Sequence, residues 1–170
     1  MSDFLSKLSS YNLFNNLVPG VLFVWIAGAI VGRDLVPRDV LVSLFVYYFV
    51  GMVIGRFGSL VMEPVLKRTK FLRYGNYGDF VRASKIDPKI ETLLEVSNMY
   101  RCITAMLVLL LLVRPFVWLA AKVTFARIHW EELLCTVLLV TFAFSFRKQN
   151  DFINRRVAAN AERPTAIPDA

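Results

Sequence analysis

The run LLLLVRPFVW holds the residue whose chemistry is hardest to set aside: Arg114, followed at once by Pro115. Arg114 lies 12 residues past Cys102 inside an apolar stretch, about 18 Å along a helix. A guanidinium at that depth in lipid is costly and marks function by default. The proline behind it would kink a helix and free a carbonyl. Three readings are open. Arg114 lines a hydrated path, repeated around an oligomer as an anion-selecting ring. Alternatively, the span ends near Val113, and RPFVWLAAK continues along the outer surface with Trp118 as an interfacial anchor. In the third, Arg114 pairs with Glu131 or Glu132. Arg56 is a second cation within an apolar run, about 9 Å from its inner end. It is close enough to snorkel to headgroups as an anchor, or to serve as an inner gate.

Little else in the chain offers reaction chemistry. The single histidine, His129, stands beside Trp130 and reads as an outer interface pair. Cys102 and Cys135 have neither CxxC nor metal-ligand spacing and read as apolar fillers at opposite interfaces. Tyr47 and Tyr48 fall mid-run, where packing is their simpler role. No Asp or Glu lies inside an apolar run, which argues against a small proton-coupled exporter built round a membrane carboxylate. A Ser/His/Asp relay, a P-loop and a dinucleotide fingerprint are absent from the sequence. No catalytic residue, metal site or cofactor is expected, and the chain does not read as an enzyme.

These residues sit in a chain too apolar for an ordinary soluble domain. Hydrophobic residues make up 56% of the 170, with 14 Phe and a mean hydropathy of +0.53. Charged residues fall to 19%, against about 25% in soluble domains. A water-soluble fold of this composition would expose large apolar patches. The pI of 9.7 and net charge of +7 raise nucleic acid as a partner. The charges lie between apolar runs, however, and no nucleic-acid partner is expected.

Four runs stand out: Leu17–Val31, Val40–Met62, Cys102–Ala121, and Leu133–Phe146, the last beginning near Ile128. Crossing a hydrocarbon core of about 30 Å takes roughly 20 apolar residues, and lipid leaves helix as the way to satisfy the backbone. Four transmembrane helices are therefore expected. Lys and Arg number one before the first run, two and eight in the next two gaps, two in the third gap, and five after the last. Placing both termini inside puts fourteen of them in the cytoplasm and four outside, the orientation that such asymmetry favours. The first run could instead be a signal peptide with IAGAI as its cleavage site. Its start carries only one lysine, and cleavage would leave three spans, so the run is expected to be retained.

The expected fold is all-α: an integral membrane bundle of four transmembrane helices, an amphipathic N-terminal helix, and a cytoplasmic loop-helix between spans 2 and 3. Residues 1–18 form the interfacial segment, with Phe4, Leu8, Tyr11, Phe14 and Val18 on one side. Pro19 and Gly20 then redirect the chain into spans 1 and 2, residues 19–62. Asn15 is the candidate for an interhelix hydrogen bond; plain contact with headgroups and water is the alternative. Gly51, Gly55 and Gly58 form a small-residue face for close helix contact, within the subunit or between subunits.

Residues 63–101 make a basic loop and helix. Lys67, Arg68, Lys70, Arg73 and Arg82 rest on anionic lipid or hold an anionic ligand with Tyr74 or Tyr77 stacking. Asp87 and Pro88 look like a helix start, and that helix should run unbroken into the third span; spans 3 and 4 occupy residues 102–146. The tail, 147–170, extends the fourth helix briefly and ends in disorder.

The functional expectation is a small, non-enzymatic, oligomeric component of a bacterial inner membrane. It would be a sensor/effector or pore-type subunit, controlled by a cytoplasmic signal or protein partner. Small multispan subunits of bacterial stress and antiphage systems have this general form, an analogy of architecture alone. The alternative is a passive anchor or assembly subunit that recruits a soluble protein.

Overall fold

The computed structural model of the chain describes residues 2–122 and 129–161, with side chains placed from Leu13 onward except at Trp130. Every regular element among them is helical. α1 is Ser2–Val31. α2, Val40–Phe57, passes through a π-helical turn at Gly58–Met62 into α3, Glu63–Arg68. α4 is Tyr77–Ile86, α5 is Lys89–Lys122 and α6 is Trp130–Ala161. The expected disorder of the last residues lies outside those described, as do the side chains of the expected N-terminal stripe before Leu13.

Among the described residues three helices are long and apolar enough to cross a membrane: Leu13–Val31 with 19 residues, Val40–Arg68 with 29, and Lys89–Lys122 with 34. α6 is not among them. Its apolar stretch, Leu133–Phe146, is 14 residues, about 21 Å. Glu131 and Glu132 before it, and Arg147 and Lys148 after it, put charge into any longer window.

The break expected at Pro19–Gly20 is not there. α1 runs through both residues as one helix of 30. An internal proline forfeits one backbone hydrogen bond, but Pro19 and Gly20 are buried, and Gly20 lies against the Tyr47 carbonyl of α2. Packing against α2 holds the helix where local sequence would bend it.

α1 and α2 form an antiparallel hairpin. Gly20 faces the Tyr47 carbonyl and Gly51 faces the Asn16 carbonyl, each so close that a Cβ would overlap backbone atoms. The turn between them is locally encoded. Gly32 takes φ +69°, where glycine avoids a Cβ clash. Asp39 caps α2 by accepting from Val42 N at 3.0 Å. α5 completes the core, which joins Ala27, Ile54, Cys102, Ala105, Met106 and Leu110. Its start is as expected: Asp87 Oδ1 accepts from Lys89 N at 3.0 Å, and the helix then continues unbroken to Lys122.

α6 stands outside this core. It meets α2 through Phe49 and Phe142, ring centroids 6.3 Å apart, and meets the π turn through Lys148. Residue numbers rise together along both helices, so α6 runs in the direction of α2. The start of α1, α3, the start of α5 and the end of α6 thus share one end of the bundle, the charged end. α4 lies there too, with Tyr77 edge-on to Phe152 at 5.3 Å and Lys85 Nζ donating to Asn160 at 2.6 Å.

Only nine apolar side chains, Pro19 among them, are buried among the described residues. Trp25, Phe45, Leu111, Phe116, Leu139 and Phe146 are all exposed on the long helices. A surface this apolar needs lipid or protein against it.

Candidate functional site

The most connected polar group in the structure is Glu63, the first residue of α3. Its side chain is 10% exposed and is shared by three cations. Lys67 Nζ, one turn on, lies 2.7 Å from Oε1. Lys148 Nζ, from α6, lies 2.9 Å from Oε2, and Arg101 Nη1, from α5, lies 3.5 Å from the same oxygen. A carboxylate drawn this far from water is tolerable only when paired. Here its partners come from its own helix, α5 and α6.

The π turn builds the other half of the joint. Glu63 N–H donates to the Gly58 carbonyl, five residues back, the wider spacing of a π-helix. Lys148 Nζ donates to the Ser59 carbonyl at 2.7 Å and its hydroxyl at 2.8 Å. One lysine of α6 therefore fastens both the Ser59 and the Glu63 positions of the helix it lies against. Gly58 lets α5 approach: Arg101 Cγ and the Arg101 carbonyl would each lie 3.3 Å from a Cβ there. Arg101 Nε is buried without an acceptor, so this arginine's hydrogen bonding is incomplete even in the joint.

The cluster holds no nucleophile–base pair, and no group of three or more metal-ligating side chains occurs among the described residues. Its chemistry is electrostatic. It ties three helices together at the boundary between their apolar and charged portions, and any change in the charge of Glu63 or the reach of Lys148 bears on all three.

Of the residues singled out from sequence, Lys67 and Gly58 belong to this joint and the others fall elsewhere. Arg114 is exposed on α5, among exposed Leu111, Leu112, Phe116 and Trp118, and makes no ion pair among the described residues. The pairing with Glu131 or Glu132 is not formed. Pro115 lies inside the helix, which continues past it. Arg56 is half-buried and likewise has no ion-pair partner among the described residues.

Of the glycine face, Gly51 meets α1, Gly55 sits 3.7 Å from Cys102 Sγ, and Gly58 meets Arg101 and Ala105. All these neighbours belong to the same chain. Asn16, not Asn15, presents its carbonyl to Gly51, because one residue along a helix is about 100° of rotation. Asn15 Oδ1 is buried without a hydrogen bond.

The basic loop divides into two groups. Lys67 is held by Glu63 and lies 4.0 Å over the Tyr74 ring. Arg82 pairs with Asp79 at 2.7 Å. Arg68, Lys70 and Arg73 are exposed and unpaired among the described residues. Tyr77 is turned towards Phe80 and Phe152, away from stacking on a ligand with that trio. Cys102 is buried and Cys135 exposed, both as free thiols.

Glu63, Arg101 and Lys148 carried no role in the sequence reading. A signal was present: Glu63 is the only acid between Asp39 and Asp79, in a segment dense with Lys and Arg. No protein-family model, curated protein or solved structure matches the chain.

Proposed function

We propose that the protein is a four-span component of a bacterial inner membrane, with both termini in the cytoplasm. It acts without catalysis as a sensor or effector. A cytoplasmic signal or partner acts on α4, the start of α5 and the end of α6, and the spans respond by changing assembly or permeability. The observation that carries this reading is the Glu63 cluster. It joins the apolar helices to the charged ones at a single point, so displacement of α6 reaches α2 and α5 directly. α5 adds a second route, a rigid helix shared by both regions.

α6 is the fourth span in this reading. It runs alongside α2 with Leu139, Val140, Phe144 and Phe146 exposed, and bilayer thinning and snorkelling accommodate its short apolar stretch. The exposed apolar faces and the lone Arg114 fit contact between copies, with Arg114 facing a neighbour or a hydrated path. Subunit number in mild detergent and ion flux after reconstitution, with Arg114→Ala alongside, test the proposal. An oligomer whose flux changes selectivity in the variant is the expected result. A monomer without flux, indifferent to Arg114, overturns it.

One observation favours a second reading, that of an anchor for a soluble protein. Ile86, Leu93, Tyr100 and Val157 are exposed on helices at the charged end, outside the four apolar runs. A stoichiometric soluble protein retained through purification, together with absent flux, would select it.

A further inference from the structure

We propose that the turn after α3, residues 68–73, is a docking point for anionic phospholipid headgroups. This rests on the reading of α2 as a membrane span. The helix ends at Arg68, and Lys70 then takes φ +59°, the left-handed position that a helix end usually gives to glycine. The turn is closed by Lys70 N donating to the Lys67 carbonyl at 3.0 Å and Leu72 N to the Leu66 carbonyl at 3.1 Å. It presents Phe71, 78% exposed, between exposed Arg68, Lys70 and Arg73. Both other basic candidates of this segment have acids of their own, Lys67 with Glu63 and Arg82 with Asp79. The remaining three have none among the described residues. Three unneutralised cations around an exposed aromatic ring make a basic patch of the kind that anionic headgroups attract.

Depth agrees with this. The run Val40–Met62 has 23 residues, about 34 Å, slightly more than a hydrocarbon core of about 30 Å. Arg68 lies six residues further on, about 9 Å. The turn therefore lies about 11–13 Å from the hydrocarbon, a few ångströms beyond a headgroup layer about 5–8 Å thick and within the screening length of about 8–10 Å.

The full chain in nanodiscs tests the inference by hydrogen exchange of amides 66–76. With phosphatidylglycerol mixed into phosphatidylcholine, exchange should slow by about fivefold per cation engaged relative to phosphatidylcholine alone. High salt should abolish the difference, and so should Arg68→Gln with Lys70→Gln and Arg73→Gln. Equal exchange in both lipids overturns the proposal, as does slowing by inorganic phosphate in phosphatidylcholine discs. The wild-type comparison stands even if the triple variant misfolds. Protection of the α2 amides in the same discs reports the span separately, so failure of the turn and failure of the membrane reading are distinguishable.

Discussion

Replacing Glu63 by Gln should loosen α6 while leaving the α1–α2–α5 core in place. The change keeps size and one acceptor oxygen but removes the charge that three cations share. Breaking a fully buried pair costs about 3–5 kcal/mol, whereas exposed pairs contribute about 0.2–1 kcal/mol. Glu63 is 10% exposed, but Lys67 and Lys148 are 46% and 43% exposed and Arg101 is 34% exposed. Each pair therefore belongs well below the buried figure. Lys148, held in place by Ser59 and 2.9 Å from the carboxylate, contributes most, about 1–2 kcal/mol; Lys67 adds about 0.3–0.5 kcal/mol as an i,i+4 pair; Arg101, at 3.5 Å, adds least. The sum is about 1.5–3 kcal/mol.

The assay is a double-mutant cycle of Glu63→Gln and Lys148→Gln, with equilibrium unfolding followed in mixed micelles. The two changes should couple by about 1–2 kcal/mol, within the range for contacting residues. If Glu63→Gln costs the same in wild type and in Lys148→Gln, the joint is a coincidence of side chains, and α6 is held by something else.

The remaining expectations concern the helices that frame this joint. Gly51→Ala and Gly20→Ala each push a Cβ into a facing backbone carbonyl. Each should destabilise the protein by at least the 1–3 kcal/mol usual for overpacking. Gly55→Ala, whose nearest neighbour is 3.7 Å away, should cost less than about 1 kcal/mol, with unfolding midpoints in one detergent giving the comparison. Asp39→Ala removes the α2 cap and should cost about 1 kcal/mol, read the same way; no loss would mean that other bonds hold the turn, such as those the Ser43 hydroxyl donates to the Pro37 and Asp39 carbonyls at 2.9 and 2.8 Å. Arg114→Ala breaks no ion pair among the described residues and should change stability by less than about 0.5 kcal/mol. Any effect it has should appear in flux or oligomeric state.

The helices were legible because their signals are local. Apolar runs and the Asp87–Pro88 helix start act within a few residues, and composition or capping chemistry exposes them; the Asp39 cap and the left-handed Gly32 are equally local but drew no expectation. Pro19 shows where such reading fails. A proline beside a glycine is a break by local rules, yet α1 passes through because α2 lies against that same surface. Nothing within α1 reports α2's proximity. The reciprocal match of Asn16 with Gly51 and Gly20 with Tyr47 exists only once the two helices are placed antiparallel in one register.

The Glu63 joint was illegible for a related reason. Its members stand at 59, 63, 67, 101 and 148, on three helices far apart in the chain, and none belongs to a motif. Arg114 drew attention because a lone arginine in an apolar run is anomalous along the chain. Lys148, at the end of a run, looked like an ordinary cytoplasmic flank. In the fold their positions are reversed. Arg114 reaches no acid among the described residues, while Lys148 holds a carboxylate, a hydroxyl and a carbonyl at once. A charge inside an apolar stretch is visible in one dimension; a charge that joins helices is visible only in three. If a signal passes between the charged end and the apolar helices, the structure therefore directs attention to Lys148 and Glu63 before Arg114. Lys148→Gln should then uncouple the helices of the charged end from any response of the apolar helices even where Arg114→Ala leaves that response intact. The same flux and subunit-number measurements decide it, and a Lys148→Gln protein that still responds would return the role to α5 alone.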